Sequence, residues 1–259
     1  MSQDAWNPKQ YEKFKEERSQ PFFDLMNLLE TPRSRIKVID LGCGTGELTA
    51  ELHHFIRADQ TTGLDSSEQM LAKAQVFAEN NLNFVKGDIQ TWSPSEDYDI
   101  IFSNAALQWC GEQHALFARL TKALHAGGQL CVQMPMNHDY PTHTLAATMS
   151  LEQKWRDLLA NPYDKTATML TPEEYAHMMY KLGFQRQKVF VNVYGHVLES
   201  REGVIEWVKG TMLTHFQKQL SEADFAAFMN EYKQRLFAIL PDEKPFFYPF
   251  KRIFIWGRL

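Results

Sequence analysis

Asp40-Leu41-Gly42-Cys43-Gly44-Thr45-Gly46 follows directly on the apolar run Ile36-Lys37-Val38-Ile39, and together they read as a buried strand running into a glycine-rich turn. Glycines admit positive φ and let a backbone approach a ligand closely. The helix that should begin near Gly46 points free N–H groups and its positive dipole end at the same place. Such a turn suits a nucleotide-like cofactor. Its spacing is G-x-G-x-G, not the G-x-G-x-x-G that seats a pyrophosphate on a helix N-terminus. Asp40 stands where a carboxylate would repel a pyrophosphate but could hold the ammonium of a methionine moiety, directly or through water. Thr61-Thr62-Gly63-Leu64-Asp65 is a second strand ending in an acid, about 20 residues on, from which a carboxylate can accept from both ribose hydroxyls. That item alone fits NAD equally well. Phe84-Val85-Lys86-Gly87-Asp88-Ile89 brings a third acid, placed for an adenine amino group, with Ile89 against the ring. The set points to S-adenosylmethionine. The plainer reading is a tight strand–helix turn with three solvated strand-end acids.

The elements that must position these residues alternate. Strand and helix patterns follow one another from about 36 to 135, which predicts parallel βαβ units and a doubly wound sheet. Ser66-Ser67-Glu68-Gln69 can cap a helix carrying Met70, Leu71 and Ala74. Tyr98 to Ser103 reads as the fourth strand and Gly128 to Met134 as the fifth, with a helix over Ala115 to Leu124 between them and His125-Ala126-Gly127-Gly128 as the turn that ends it. Thr171-Pro172-Glu173-Glu174 is a capping signature for a helix that should stop at Gly183. A strand over about Gln187 to Val197 and a last one over Arg252 to Trp256 complete seven. The expectation is an α/β fold, one domain over 1–259 with a seven-stranded, mostly parallel, Rossmann-like sheet. Residues 1–30 give an N-terminal helical cover, and 137–170 and 198–249 are insertions forming a helical cap. Phe225, Phe228, Met229, Tyr232 and Leu236 form an apolar stripe at helical spacing, a packing face.

A chain of 259 residues, 44% apolar, can bury a substantial core. A net charge of −5 offers no general field for phosphate backbones, so a nucleic-acid partner is not expected and a small molecule is. Cys43, Cys110 and Cys131 have neither metal-ligand spacing nor an even count, which suits a reducing cytoplasm, and Cys43 itself reads as a small packed residue. No run of 18 apolar residues could span a membrane, and no leader pattern opens the chain. A monomer acting without metal is expected.

D-L-G-C-G-T-G, the Asp65 strand and G-D-I resemble motifs I, II and III of class I S-adenosylmethionine-dependent methyltransferases. Longer segments are similar to one family within that class, the trans-aconitate methyltransferases. These are Asp4-Ala5-Trp6-Asn7-Pro8 with Tyr11, Glu17-Arg18-Ser19 and Pro21; Ser103-Asn104-Ala105-Ala106-Leu107-Gln108-Trp109; Val132-Gln133-Met134-Pro135-Met136-Asn137 with Pro141-Thr142-His143; and Tyr194-x-His196 with Ile205-x-Trp207-Val208. The resemblance covers most of the chain. It implies methylation of a carboxylate of trans-aconitate or a related polyacid, giving a monomethyl ester and S-adenosylhomocysteine. An ionised carboxylate needs no general base, so no catalytic residue is named. The segment after the fourth strand differs from the Asn/Asp-Pro-Pro-aromatic motif of enzymes that methylate amino groups.

Carried over by position, the resemblance implies cofactor contacts from Tyr11, Gly42, Asp65, Asp88, Ile89 and Asn104. The turn adds Asp40, Cys43, Gly44 and Gly46, and the following helix start adds Ser66 and Met70. The acceptor would lie near Trp109, Gln133 and His196. Several carboxylates call for cations, and Arg18 and Arg252 are the candidates, with Lys209 behind them. Each cation has a competing reading as a solvated surface charge, and His196 as a core histidine. Three alternatives stay open: a malonyl-carrier-protein carboxyl methyltransferase of biotin synthesis, a methyltransferase acting on an unrelated small acid, phenol or amine, and a non-catalytic S-adenosylmethionine-binding module.

Overall fold

A computed structural model describes residues 15–30, 35–93, 97–164 and 168–259, with side chains from Ser19 onward. The elements in chain order are α1 (Lys15–Met26), β1 (Lys37–Leu41), α2 (Glu47–Ile56), β2 (Gln60–Asp65), α3 (Glu68–Ala74), β3 (Leu82–Lys86), β4 (Tyr98–Asn104), α4 (Gln113–Lys122) and β5 (Leu124–Pro135). There follow α5 (Pro141–Leu151), a short α6 (Gln153–Arg156), α7 (Pro172–Lys181), β6 (Arg186–Leu198), α8 (Glu202–Lys209), a short α9 (Thr214–Gln217), α10 (Glu222–Ile239) and β7 (Phe246–Arg258).

The seven strands form one sheet in the order β3-β2-β1-β4-β5-β7-β6. β1 through β5 pair in parallel, and β7 runs antiparallel to β5. Val38, Ile39 and Leu41 of β1 and Ile100, Ile101 and Phe102 of β4 are fully buried, as expected of central parallel strands covered on both faces. Strand order reverses between β1 and β4, and in doubly wound sheets ligands sit at that switch point, beyond the strands' carboxyl ends. On α1, the buried Phe22 lies with its ring centroid 4.8 Å from that of Phe102 of β4.

Local signals act where expected. Ser67 caps α3 by accepting from the Met70 amide, and Thr171 and Glu174 close a reciprocal capping box on α7. That helix stops before Gly183, whose φ of 93° no β-carbon favours. Two expectations need correction. His125-Ala126-Gly127-Gly128 is not a helix-ending turn, because α4 ends at Lys122 and these residues belong to β5. The register jumps from Tyr98↔Leu124 to Ile100↔Gln129, so the segment bulges out of the ladder. The last strand begins at Phe246 rather than Arg252: Phe246, Tyr248 and Phe250 are all buried, an alternation that extends the strand backward.

The chain divides into two compact units. Among the described residues, a sheet unit comprises 18–30, 35–93, 97–135, Thr168–Asn192 and Arg252–Leu259, and a helical unit comprises 15–17, 136–164 and Val193–Lys251. The helical unit has its own core, in which Trp155, Trp207, Phe216, Phe228, Tyr232 and Tyr248 are almost fully buried. The stripe on α10 does pack inward, with Phe228, Tyr232 and Leu236 all buried. Two buried polar contacts cross-link the unit: the Tyr232 hydroxyl donates to the Thr142 carbonyl at 3.0 Å, and the Asn137 amide donates to the Tyr248 hydroxyl at 3.3 Å.

Candidate functional site

The glycine turn is held by backbone geometry. Gly42, Gly44 and Gly46 all have positive φ, at 84°, 56° and 78°. A β-carbon on Gly42 would come within 2.3 Å of the Ala106 β-carbon, and one on Gly46 within 2.8 Å of the Phe84 ring. At Gly44 the same construction meets nothing within 4 Å, so this part of the backbone lies open to a ligand. Two consecutive amides, of Gly42 and Cys43, donate to the Leu64 carbonyl at 2.7 and 3.1 Å, fastening the turn to β2. Gly46 caps α2 without a side-chain hydrogen bond, which leaves that helix end to other partners.

Asp65 organises the turn as well as facing it. One carboxylate oxygen accepts from the Gly44 amide at 2.9 Å and the other from the Ser67 amide at 2.8 Å. Each oxygen keeps a lone pair for a further donor. Asp40 lies within β1 rather than at its end and is buried, accepting from the Thr49 hydroxyl at 2.6 Å. Burial pushes its carboxyl up to about 7, against the opposing pull of the Thr49 hydrogen bond and with a contribution from the nearby charge of Asp65. Burial also holds the Cys43 thiol far above its ordinary range, so it is no nucleophile at neutral pH.

Other expected residues gather at the same strand ends. Ile89 reaches the turn, since its δ-carbon would lie 3.7 Å from a β-carbon on Gly42. Asp88 is exposed two residues past β3 and accepts from the Gln90 amide at 2.8 Å. Ser66 is exposed and Met70 buried. Asn104 closes β4, and its side-chain oxygen is buried without a hydrogen-bond partner. That orphaned acceptor and the open backbone at Gly44 are what an incoming amino-acid moiety needs, and the set fits S-adenosylmethionine.

Asn104 stands opposite Gln133 in the β4–β5 register, and Gln133 is itself fully buried. The Gln133 side-chain oxygen Oε1 accepts from the Arg252 guanidinium at 3.5 Å, while its side-chain nitrogen Nε2 has no partner. Arg252 sits on β7 opposite Pro135 and is only 4% exposed, which sets aside the reading of it as a solvated surface charge. Asn104, Gln133 and Arg252 thus line adjacent strands on the β5 side of the turn. Trp109 ends the short helical turn Leu107–Trp109 and is 53% exposed. In the helical unit, His196 is buried, its ring centroid 4.5 Å from that of Trp207. Lys209 is exposed and pairs with Glu206 on its own helix. Tyr11 and the Arg18 side chain lie outside the described residues.

Sequence reasoning overlooked the groups that brace this arrangement. Thr49 holds Asp40, Ser103 donates to the Leu41 carbonyl at 2.7 Å, and Arg119 donates to the Ile89 carbonyl at 2.8 Å. Ala105 adopts a left-handed φ of 53°, held by its amide donating to the Gln133 main-chain carbonyl and by the Gln108 side-chain amide donating to the Ala105 carbonyl. Sequence separation hid Thr49, Ser103 and Arg119, which lie 9, 62 and 30 residues from the groups they bond.

Residues 38–128 match the family described as Methyltransferase domain. Over 255 residues the chain is 41% identical to the trans-aconitate 2-methyltransferase of Deinococcus radiodurans, covering 96% of each chain. It is 35% identical to that of Streptomyces avermitilis, covering 96% of this chain and 95% of the relative. Among solved structures, a methyltransferase of Bacillus halodurans superposes with a TM-score of 0.60 at 14% identity, over 92% of this chain and 98% of the other, a likeness of fold. With relatives of that identity along nearly its whole length, the chain belongs to the trans-aconitate 2-methyltransferase family and is an S-adenosylmethionine-dependent methyltransferase.

Proposed function

We propose that this protein methylates a carboxylate of trans-aconitate, and the observation that carries the acceptor class is the buried Arg252 guanidinium beside Gln133 at the strand ends next to Asn104. The names of the relatives at 41% and 35% identity support the particular acid, and nothing in them favours a carrier protein or a non-catalytic binding module. When bound, S-adenosylmethionine supplies an electrophilic methyl carbon on a sulfonium, so that an attacking carboxylate oxygen forms the C–O bond as the C–S bond breaks, leaving a monomethyl ester and S-adenosylhomocysteine.

The chain's part is alignment and exclusion of water, with no proton to remove. Gly42, Cys43, Gly44 and Gly46 present backbone to the amino-acid end, and the Asn104 side-chain oxygen accepts from its ammonium. Asp40 adds charge from behind, Asp65 and Ser66 take the ribose, and Asp88, Ile89 and Met70 take the adenine. Tyr11 is assigned to the same cofactor. On the acceptor side, Arg252 pairs with a carboxylate not undergoing attack and Gln133 donates its unpartnered amide, while Trp109, His196 and Arg18 complete the set. Segments 137–170 and 198–249 serve as the cap of a single catalytic domain. Three unpaired, buried cysteines support a reducing compartment, the cytoplasm, and we read the enzyme as a monomer that needs no metal for methyl transfer. Among the described residues no helix is long and apolar enough to cross a membrane.

The test is S-adenosylhomocysteine release with trans-aconitate, cis-aconitate, citrate, itaconate and malonyl-loaded carrier protein. Turnover is expected on trans-aconitate and, more weakly, on its relatives. Turnover on the carrier protein alone would overturn the reading. Arg252→Gln should raise the acceptor KM at least tenfold while cofactor affinity stays unchanged, and an unchanged KM would remove Arg252 from the site.

A further inference from the structure

His53, His54 and Glu79 form a cluster unrelated to the cofactor turn. Their ligand atoms all lie within 4.8 Å of one another, the only such group of three among the described residues. The Nε2 atoms of His53 and His54 are 3.7 and 3.4 Å from the same Glu79 carboxylate oxygen. A tetrahedral zinc ion with bonds of about 2.0–2.2 Å holds its ligand atoms about 3.3–3.5 Å apart, so both histidine–carboxylate distances already lie within tenths of an ångström of that spacing, and the two histidines close the triangle within 4.8 Å. They edge an open hollow that Asn80 and Asn81 also line.

The supports behind the cluster are those of a ligand site. His53 Nδ1 lies 2.8 Å from the Thr61 hydroxyl, deep in the sheet unit. In the tautomer whose Nδ1–H donates to Thr61, the Nε2 lone pair is aimed at the hollow, the arrangement in which a second partner fixes a metal-binding ring. His53 and His54 are fixed at the end of α2, where their carbonyls accept from Ala58 and Arg57, and a helix C-terminus favours a cation. Glu79 is held by paired backbone bonds with Leu82 at the entrance to β3.

We propose that His53, His54 and Glu79 bind one divalent transition-metal ion of the zinc class, with a fourth position open to water. Two imidazoles and a carboxylate favour such an ion over calcium or magnesium. The cluster lies six to seven residues along α2 from its start at the glycine turn, about 10 Å by helical rise. Thr61 likewise stands near the start of β2, whose far end carries Asp65. The ion would therefore clamp the end of α2 to the turn before β3, with no part in methyl transfer.

Calorimetry of the full chain with zinc alone, after chelator treatment, tests this directly. One ion per chain is expected, and cobalt in its place should give the intense visible bands of a tetrahedral site. His54 and Glu79 are exposed, so His54→Ala and Glu79→Gln should fold normally and keep their affinity for S-adenosylmethionine within about twofold, while zinc affinity falls about tenfold or more in each. Zinc should raise the melting temperature of the parent protein and leave that of both variants unmoved. No saturable binding near one equivalent, or equal zinc affinity in the parent and both variants, would overturn the assignment.

Discussion

The glycine turn of the sheet unit and the core of the helical unit are ordered by different means. The turn is specified by backbone: three residues at positive φ, two amides on one carbonyl, and a carboxylate gripping two further amides. The helical core is specified by volume, with Trp155, Phe216, Phe228 and Tyr232 packed ring on ring. Backbone geometry tolerates few residue types and so dictates what can bind. Packed volume tolerates many and dictates only that the unit holds together. Damage to the first should cost function before stability, and damage to the second the reverse.

The largest effect should come from Phe228→Ala. Phe228 is fully buried, stacked 4.3 Å from Phe216 and edge-on to Trp155 at 5.1 Å. Its removal should cost about 3–5 kcal/mol in denaturant unfolding. Cofactor affinity, measured by calorimetry where the variant is folded, should change less than twofold; a large loss would erase the contrast between the two regions. Gly42→Ala is the converse. The new methyl would collide with Ala106 in a conformation that costs an L-residue about 1–2 kcal/mol by itself. A stability loss of about 2–3 kcal/mol should accompany near-complete loss of S-adenosylmethionine binding. Gly44→Ala, with nothing in the way of its methyl, should lose only the conformational part of that stability while still impairing binding.

The same contrast explains what could be read from the sequence. A backbone-built site has to announce itself, because only glycine serves at Gly42 and Gly46, and Asp65 follows at the interval that one βαβ unit imposes. Seven strands were legible for a related reason: buried parallel strands are short apolar runs, and caps such as Ser67 and Thr171 mark where helices start. The bulge at His125–Gly128 was not legible, since paired glycines suit a helix-ending turn equally well. Phe246, Tyr248 and Phe250 were passed over because Pro249 and Pro245 interrupt their alternation. Partners distant in sequence were invisible on principle: Thr49 behind Asp40, Arg119 behind Ile89, and Glu79 facing the histidine pair 25 and 26 residues earlier. Composition could nominate Arg252 as a cation but could not show that it is buried against Gln133.

Asp65→Ala sharpens the comparison, because this carboxylate serves the turn and the proposed ribose contact together. Loss of its two charge-assisted backbone bonds and of the ribose should weaken cofactor binding by about 1–3 kcal/mol in calorimetry. Asp65→Asn keeps one acceptor and should recover part of that loss; a folded Asp65→Ala variant with unchanged affinity would sink the ribose assignment.

The smallest effect is a pH slope. Asp40 has a folded-state pKa near 7 against an ordinary 3.8, so between those values the native protein keeps a proton that the unfolded chain has released. Stability contributed by this group is therefore full below about pH 4 and declines as pH rises through 7, by at most about 1.4 kcal/mol per pH unit. Asp40→Asn keeps the shape and an acceptor for the Thr49 hydroxyl but cannot ionise, so that component of the slope should vanish from urea unfolding curves. Binding should move in the opposite sense. If the carboxylate steadies the cofactor's ammonium, affinity in the parent protein should rise toward and just beyond pH 7 and be flat across that range in Asp40→Asn. A parallel pH profile in the two proteins would mean that Asp40 acts only on the turn, through Thr49, and that the ammonium is held by Asn104 and the backbone alone.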